Sequence, residues 1–230
     1  MMGKKFLHYG LQRSGTNFTE SLLKKNFRVK IINRKSRNLP RHLPLQKHFR
    51  LYDDKTIIPE SKYFNNHLYQ SFDEFESSLG LKELVDGVII ISKDPYSWLL
   101  SYEKWAAKCQ WPKPDYDYVE EYLAFLNKWK QFSEGSDKIY FIKYLDLLTK
   151  PEKILYDIQI KFKLIKRFRL FKKTITELKK VNVSETFTNQ QKKYYVEKMY
   201  LNHYSPSKLK EVNSHLHEEL MEFLGYDIVD

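Results

Sequence analysis

The chain has 230 residues, 42% hydrophobic and 16% aromatic, which is enough for one ordinary domain with a full core and too apolar for a disordered chain. Seven glycines and eight prolines leave little for long linkers, so a single domain over residues 1–230 is expected. Forty Lys and Arg against 29 Asp and Glu give a net charge of +11. That surplus draws nucleotides, nucleic acid, acidic glycans or anionic lipid without choosing among them, and a compositional bias toward Lys, Tyr and Asn can equally produce it.

In chain order, Lys5 to Tyr9 reads as a strand, Thr16 to Lys25 as the helix after it, and Val29 to Asn33 as a second strand. Ser36 to Pro44 is turn-rich, and Leu45 to Phe49 reads as a short third strand. Ser71 followed by Asp73 and Glu74 has the cap-plus-acid pattern of a helix start. Gly87 to Ser92 is an unbroken apolar run, the pattern of a strand buried on both faces of a parallel sheet. Asp94-Pro95 opens a helix through Trp98 and Trp105. A further amphipathic helix runs from Tyr116 to Phe132, a strand from Lys138 to Tyr144, and a helix capped by Thr149 to Glu152 follows. From about Asn189 to Leu224 the chain is helical, stopping at Gly225. Strands alternating with helices predict an α/β fold, a mostly parallel sheet with helices on both faces and a helical C-terminal part. Ligands in such folds sit at the carboxyl ends of strands.

Cys109 is the sole cysteine, so an intrachain disulfide and a multi-cysteine zinc site are both excluded; it reads as a packing or partly exposed residue on a helix. No apolar run reaches membrane-spanning length, and Met1 to Gly10 lacks the apolar region of a signal peptide. A soluble, cytoplasmic protein without a membrane span is expected.

After the first strand comes Gly10-Leu11-Gln12-Arg13-Ser14-Gly15-Thr16-Asn17-Phe18. Two glycines five apart between a strand and a helix suit a loop whose backbone N–H groups wrap a phosphate, although an ordinary strand–helix turn has the same spacing. Arg13, Ser14, Thr16 and Asn17, all hydrogen-bonding types, favour anion binding. An ATP-binding loop would follow Gly15 with Lys and then Ser or Thr; Thr16 and Asn17 stand there instead. No clamp for β- and γ-phosphates is present, and Asn17 is a poor magnesium ligand. The loop suits a smaller anion, held without metal.

The run Gln12 to Phe18 resembles the 5′-phosphosulfate-binding loop of sulfotransferases that use 3′-phosphoadenosine 5′-phosphosulfate (PAPS), and the stretch Asp94 to Ser101 is similar to a segment of the carbohydrate-modifying members. The resemblance implies a P-loop-like sulfotransferase fold, PAPS as sulfuryl donor, and no required metal. It places Gln12, Arg13, Ser14, Gly15, Thr16, Asn17 and Phe18 at the donor, with Arg13 also stabilising charge on the departing phosphate and Phe18 packing near the adenine.

Ser92-Lys93-Asp94-Pro95 ends the apolar strand, and Ser101 follows Lys93 by eight residues. The two can meet only if Lys93 precedes the helix and reaches across its first turns. A cation and a hydroxyl converging there suit a dianionic phosphate. The segment resembles the family's 3′-phosphate site, with Lys93 where Arg is usual and a bidentate fork therefore lost. Tyr140 to Leu148 followed by Lys150-Pro151-Glu152 resembles a third family segment, which implies Tyr144 near the adenine; Leu145 replaces its usual Glu. Leu224-Gly225-Tyr226 is similar to the family's closing helix, and the main matches span about residues 6–156.

Sulfuryl transfer needs a base for the acceptor proton and a cation for the transferred or departing oxygens. Leu45 to Phe49 resembles the segment carrying a Lys and a His before the acceptor site, which implies His48 as general base and Lys47 as the neutralising cation. His8, His42 and His67 are the other candidate histidines, and Glu20 is the alternative base. Lys161 to Lys173 holds seven basic residues among Phe, Leu and Ile, open to three readings: a groove wall for an acidic glycan, an approach to anionic lipid, or a basic surface whose apolar residues dock on the body. Lys192 and Lys193 are further candidates beside the 3′-phosphate.

The activity implied is sulfuryl transfer from PAPS to a hydroxyl or amine, with a carbohydrate acceptor preferred over a small phenol or lipid. Two other classes stay open: a nucleoside or nucleotide kinase with a degenerate P-loop, and a non-catalytic basic module for nucleic acid, for which no motif is present.

Overall fold

The computed structural model describes residues 3–33, 47–49, 69–79, 85–111, 113–114, 116–167, 174 and 189–230. β1 (Lys4–Leu11) and β4 (Gly87–Ser92) pair in parallel along five residues, Phe6 opposite Gly87 through Gly10 opposite Ile91. β2 (Val29–Ile31) lies on the other edge of β1, and β5 (Ile139–Lys143) on the other edge of β4, giving the order β2-β1-β4-β5 with every pair parallel. The short β3 (His48–Phe49) also pairs with β1, at Gly10 and Leu11. β2 covers Lys4 to Phe6, so β2 and β3 follow one another along a single edge of β1.

Asn33 fills the interval between them. Its side-chain Oδ1 accepts from His8 N–H (2.8 Å) and its Nδ2 donates to His8 C=O (2.7 Å), so an amide side chain supplies both bonds a strand residue would supply. The strand expected to run to Asn33 ends at Ile31 for this reason.

Alternate residues of the central strands serve opposite layers. Leu7, Tyr9, Leu11, Val88 and Ile90 pack with α2 (Phe72–Ser78), α3 (Pro95–Lys108), α4 (Tyr118–Glu134), α8 (Pro206–His215) and α9 (Glu218–Leu224). Phe6, Ile89 and Ile91 pack with α1 (Thr16–Asn26), α5 (Tyr144–Thr149) and α6 (Pro151–Phe162). The expected α/β architecture with both sheet faces covered is present, and burial on both faces is why Val88–Ile91 is apolar throughout.

Ser71 caps α2 by accepting from Glu74 N–H, and Asp94 caps α3 by accepting from Ser97 N–H (3.0 Å). Several boundaries differ from expectation. Asp117 caps α4, which starts at Tyr118 rather than Tyr116. β5 stops at Lys143, and Tyr144 opens the short α5. Thr149 does not cap α6: its hydroxyl donates to Leu145 C=O, and Lys150 is the cap residue. The C-terminal part comprises α7 (Asn189–Val196), a 3₁₀ turn (Met199–His203), α8 and α9, closed by Gly225 in the left-handed region. Cys109 is exposed at the end of α3. Among the described residues, no helix is long and apolar enough to cross a membrane.

Candidate functional site

The turn from β1 into α1 is tight and backbone-determined. Arg13 (φ 75°) and Gly15 (φ 96°) both take left-handed conformations, and the Ser14 N–H and hydroxyl both turn back to Leu11 C=O (3.2 and 2.7 Å). Ser14 is thus a loop-closing residue in this structure, with its hydroxyl proton and N–H committed to the turn. α1 begins without a side-chain cap hydrogen bond and with no acidic residue in its first turn, so the positive end of the helix is left without either.

Gly15 is required by more than its φ. A Cβ there would lie 2.5–2.7 Å from the ring of Tyr144. Tyr144, the residue after β5, therefore packs directly on the β1–α1 loop. Trp98 Nε1 donates to Gln12 C=O (2.9 Å), tying the loop to α3, and Arg13 stacks over the Trp105 ring with its Cζ 4.9 Å from the centroid. Phe18 packs half-buried against the α1/α6 layer.

The β4 end forms the second half. Lys93 is 3% exposed; its Nζ donates to Ser101 Oγ (2.9 Å), and Ser101 donates on to Ser97 C=O (2.9 Å). The convergence of Lys93 and Ser101 is achieved as the spacing requires, with Lys93 before the helix. The Lys93 ammonium lies over the rings of Tyr195 (4.8 Å) and Tyr144 (5.6 Å), and Tyr122 donates to Lys93 C=O (2.9 Å). Among the described residues it forms no ion pair with a carboxylate. Burial, reinforced by the Arg13 guanidinium, pushes its pKa down to about 7.

Sequence reasoning missed Tyr195, Trp98 and Trp105. Tyr195 comes from α7, 102 residues beyond Lys93, and no local pattern announces that contact. Of the two α7 candidates Lys192 and Lys193, Lys193 lies 3.6 Å from Glu197; the α7 residue that meets Lys93 is Tyr195.

The third group comes from β3. Pairing of Gly10 with His48 sets this strand against the loop, and His48 Nε2 lies 2.7 Å from Thr16 Oγ1. Lys47 is 1% exposed and donates to Asn17 Oδ1 (2.9 Å) and Glu20 Oε2 (2.6 Å). Lys24 also bonds Glu20. Burial raises the Glu20 pKa, but the hydrogen bonds and charges of Lys24 and Lys47 outweigh it, so the carboxyl is held below its ordinary value. An ionised Glu20 engaged by two lysines is a clamp for Lys47. His8 is a core residue: its ring nitrogens face Ile89 C=O (2.9 Å) and Thr16 C=O (3.0 Å), and burial lowers its pKa to about 4. His42 and His67 lie outside the described residues.

Three chain segments distant in sequence thus meet at one loop: two cations (Arg13, Lys93) on one flank, and a Lys–His pair with Glu20 on the other. No group of three or more His, Cys, Asp or Glu among the described residues is gathered to hold a metal ion. The class defined so far is an α/β protein with an all-parallel sheet and an uncapped strand–helix turn at its centre. In comparisons with known proteins, the chain matches no protein-family model, no curated protein and no solved structure.

Proposed function

We propose that the protein is a sulfotransferase moving a sulfuryl group from PAPS to a hydroxyl or amine, with a carbohydrate as the preferred acceptor. The observation that carries the reading is Lys93: a buried amine, 3% exposed, forms no ion pair among the described residues and is held to a pKa of about 7 by burial and by the neighbouring Arg13, with Asp94 only partly offsetting them. An arriving anion would favour the protonated amine and counter the cost of charging it in a buried place. The uncapped start of α1 adds backbone N–H donors to the same place.

On this reading Lys93 and Ser101 hold the donor's 3′-phosphate, and the loop from Gln12 to Phe18 holds its 5′-phosphosulfate. Tyr144 and Tyr195 flank the nucleotide. The Thr16 hydroxyl can donate to His48 Nε2, leaving that nitrogen with the lone pair a base requires; the acceptor hydroxyl takes the place of Thr16 there. The acceptor oxygen forms its bond to sulfur as its proton passes to Nε2. The bond from sulfur to the 5′-phosphate oxygen breaks, and its electron pair leaves with 3′,5′-adenosine diphosphate. Arg13 and Lys47 supply positive charge that helps neutralise the oxygens on which charge accumulates.

Thermal unfolding tests the reading against a kinase. 3′,5′-Adenosine diphosphate without metal is expected to raise the melting temperature by several degrees, and ATP with magnesium to leave it nearly unchanged. An equal or larger rise with ATP and magnesium would reject the sulfotransferase in favour of a nucleotide kinase.

A further inference from the structure

Away from the site, the outer side of α6 carries apolar residues that the sheet does not use. Its inner side is spent on Ile154, Leu155, Ile158 and Phe162, all buried. Tyr156 and Ile160, one helical turn apart, are 60% and 58% exposed, the highest values among the large hydrophobic residues described. The chain then leaves the helix through Lys163 in the left-handed region, buries Leu164, and presents Ile165 to solvent.

The 164–167 segment is fixed against the start of β2. Arg28 N–H donates to Ile165 C=O (2.9 Å), Arg167 N–H donates to Asn26 C=O (2.8 Å), and Phe27 and Lys166 form an antiparallel bridge. This pairing sets exposed Arg28 beside exposed Ile165 and Lys166. Lys161, Lys163, Lys166 and Arg167 are all exposed around the apolar residues, while the acidic Asp157 is neutralised by Lys153 at 2.7 Å.

We propose that this face, with Tyr156, Ile160 and Ile165 inside a ring of Lys161, Lys163, Lys166, Arg167 and Arg28, docks the protein on an anionic lipid surface. Charge complementarity selects the partner's sign, and the apolar centre selects its kind. A soluble polyanion would use the cations but gain nothing from exposed isoleucines. A bilayer interface takes both: acyl boundary for the apolar side chains, anionic headgroups for the ring. The patch is small, so binding is reversible and sensitive to salt and to lipid charge.

The test is co-sedimentation of the full chain with vesicles of phosphatidylcholine plus phosphatidylserine, against phosphatidylcholine alone. Binding is expected only to the anionic vesicles. Lys163→Glu/Lys166→Glu is expected to lower the partition coefficient at least about tenfold, and so is Tyr156→Ser/Ile160→Ser. Unchanged melting temperatures in both variants, which alter only exposed side chains, keep loss of folding out of the comparison. Failure of the wild-type chain to bind anionic vesicles overturns the proposal. So does loss of binding in the charge variant alone, with heparin competing for the wild type, which would mark a polyanion surface. Neither result bears on the nucleotide site, whose response to 3′,5′-adenosine diphosphate is read separately.

Discussion

The hydroxyl of Thr16, first residue of the helix after the loop, lies 2.7 Å from Nε2 of His48, a residue of a two-residue strand that pairs with Gly10 and Leu11. This contact joins the donor-side loop to the proposed base. It predicts separable phenotypes. His48→Ala should retain affinity for 3′,5′-adenosine diphosphate while losing turnover by about 10²- to 10⁴-fold. Glu20→Gln should keep turnover within about tenfold and instead lower stability by roughly 1–3 kcal/mol, because Lys47 loses its carboxylate. Steady-state kinetics on both variants decide it; the opposite ranking would make Glu20 the base.

Lys93 gives a pH signature. Its folded pKa of about 7 lies below the ordinary 10.5, so the unfolded chain holds a proton there that the native chain releases. Between pH 10.5 and 7 the native state accordingly loses stability as pH falls. Anion binding requires the protonated form, so affinity for 3′,5′-adenosine diphosphate should decline by up to about tenfold per pH unit above 7, with proton uptake on binding. Calorimetry in buffers of different ionisation enthalpy measures both. Lys93→Met should abolish the proton uptake and weaken binding about thirtyfold or more.

Gly15→Ala strains the backbone at φ 96° and drives a methyl group into the Tyr144 ring. The expected cost is about 1–3 kcal/mol of stability together with loss of nucleotide binding. If Tyr144→Ala relieves the steric part, the double variant should be less destabilised than the sum of the two single ones; urea unfolding of the three variants measures that coupling.

His8 should govern part of the acid sensitivity. Burial lowers its pKa from 6.5 to about 4, so the unfolded chain is protonated first as pH falls. The stability held by neutral His8 is intact above pH 6.5 and is lost toward pH 4, on the order of 3 kcal/mol. Urea unfolding of wild type and His8→Gln at pH 7 and pH 4.5 isolates this contribution. Equal losses on acidification in the two proteins would assign the acid sensitivity to other groups.

By itself the sequence determined the elements whose causes are local. The buried run Gly87–Ser92 and the Ser71 and Asp94 helix starts are read correctly, since burial on both faces and capping each demand particular residues at particular positions. For the meeting of Lys93 with Ser101, helix geometry supplied only the condition, Lys93 ahead of the helix, while the pairing itself came from the resemblance. Tertiary structure decided the rest. The amide of Asn33 completes the edge of β1 beside His8 just past the end of β2, and Tyr144, which opens a helix rather than closing a strand, packs on Gly15. The placement of Tyr195 over Lys93 and of Trp105 under Arg13 depends on how the sheet's layers close around the loop. Periodicity records which side of an element is buried; it carries no information about which distant element buries it.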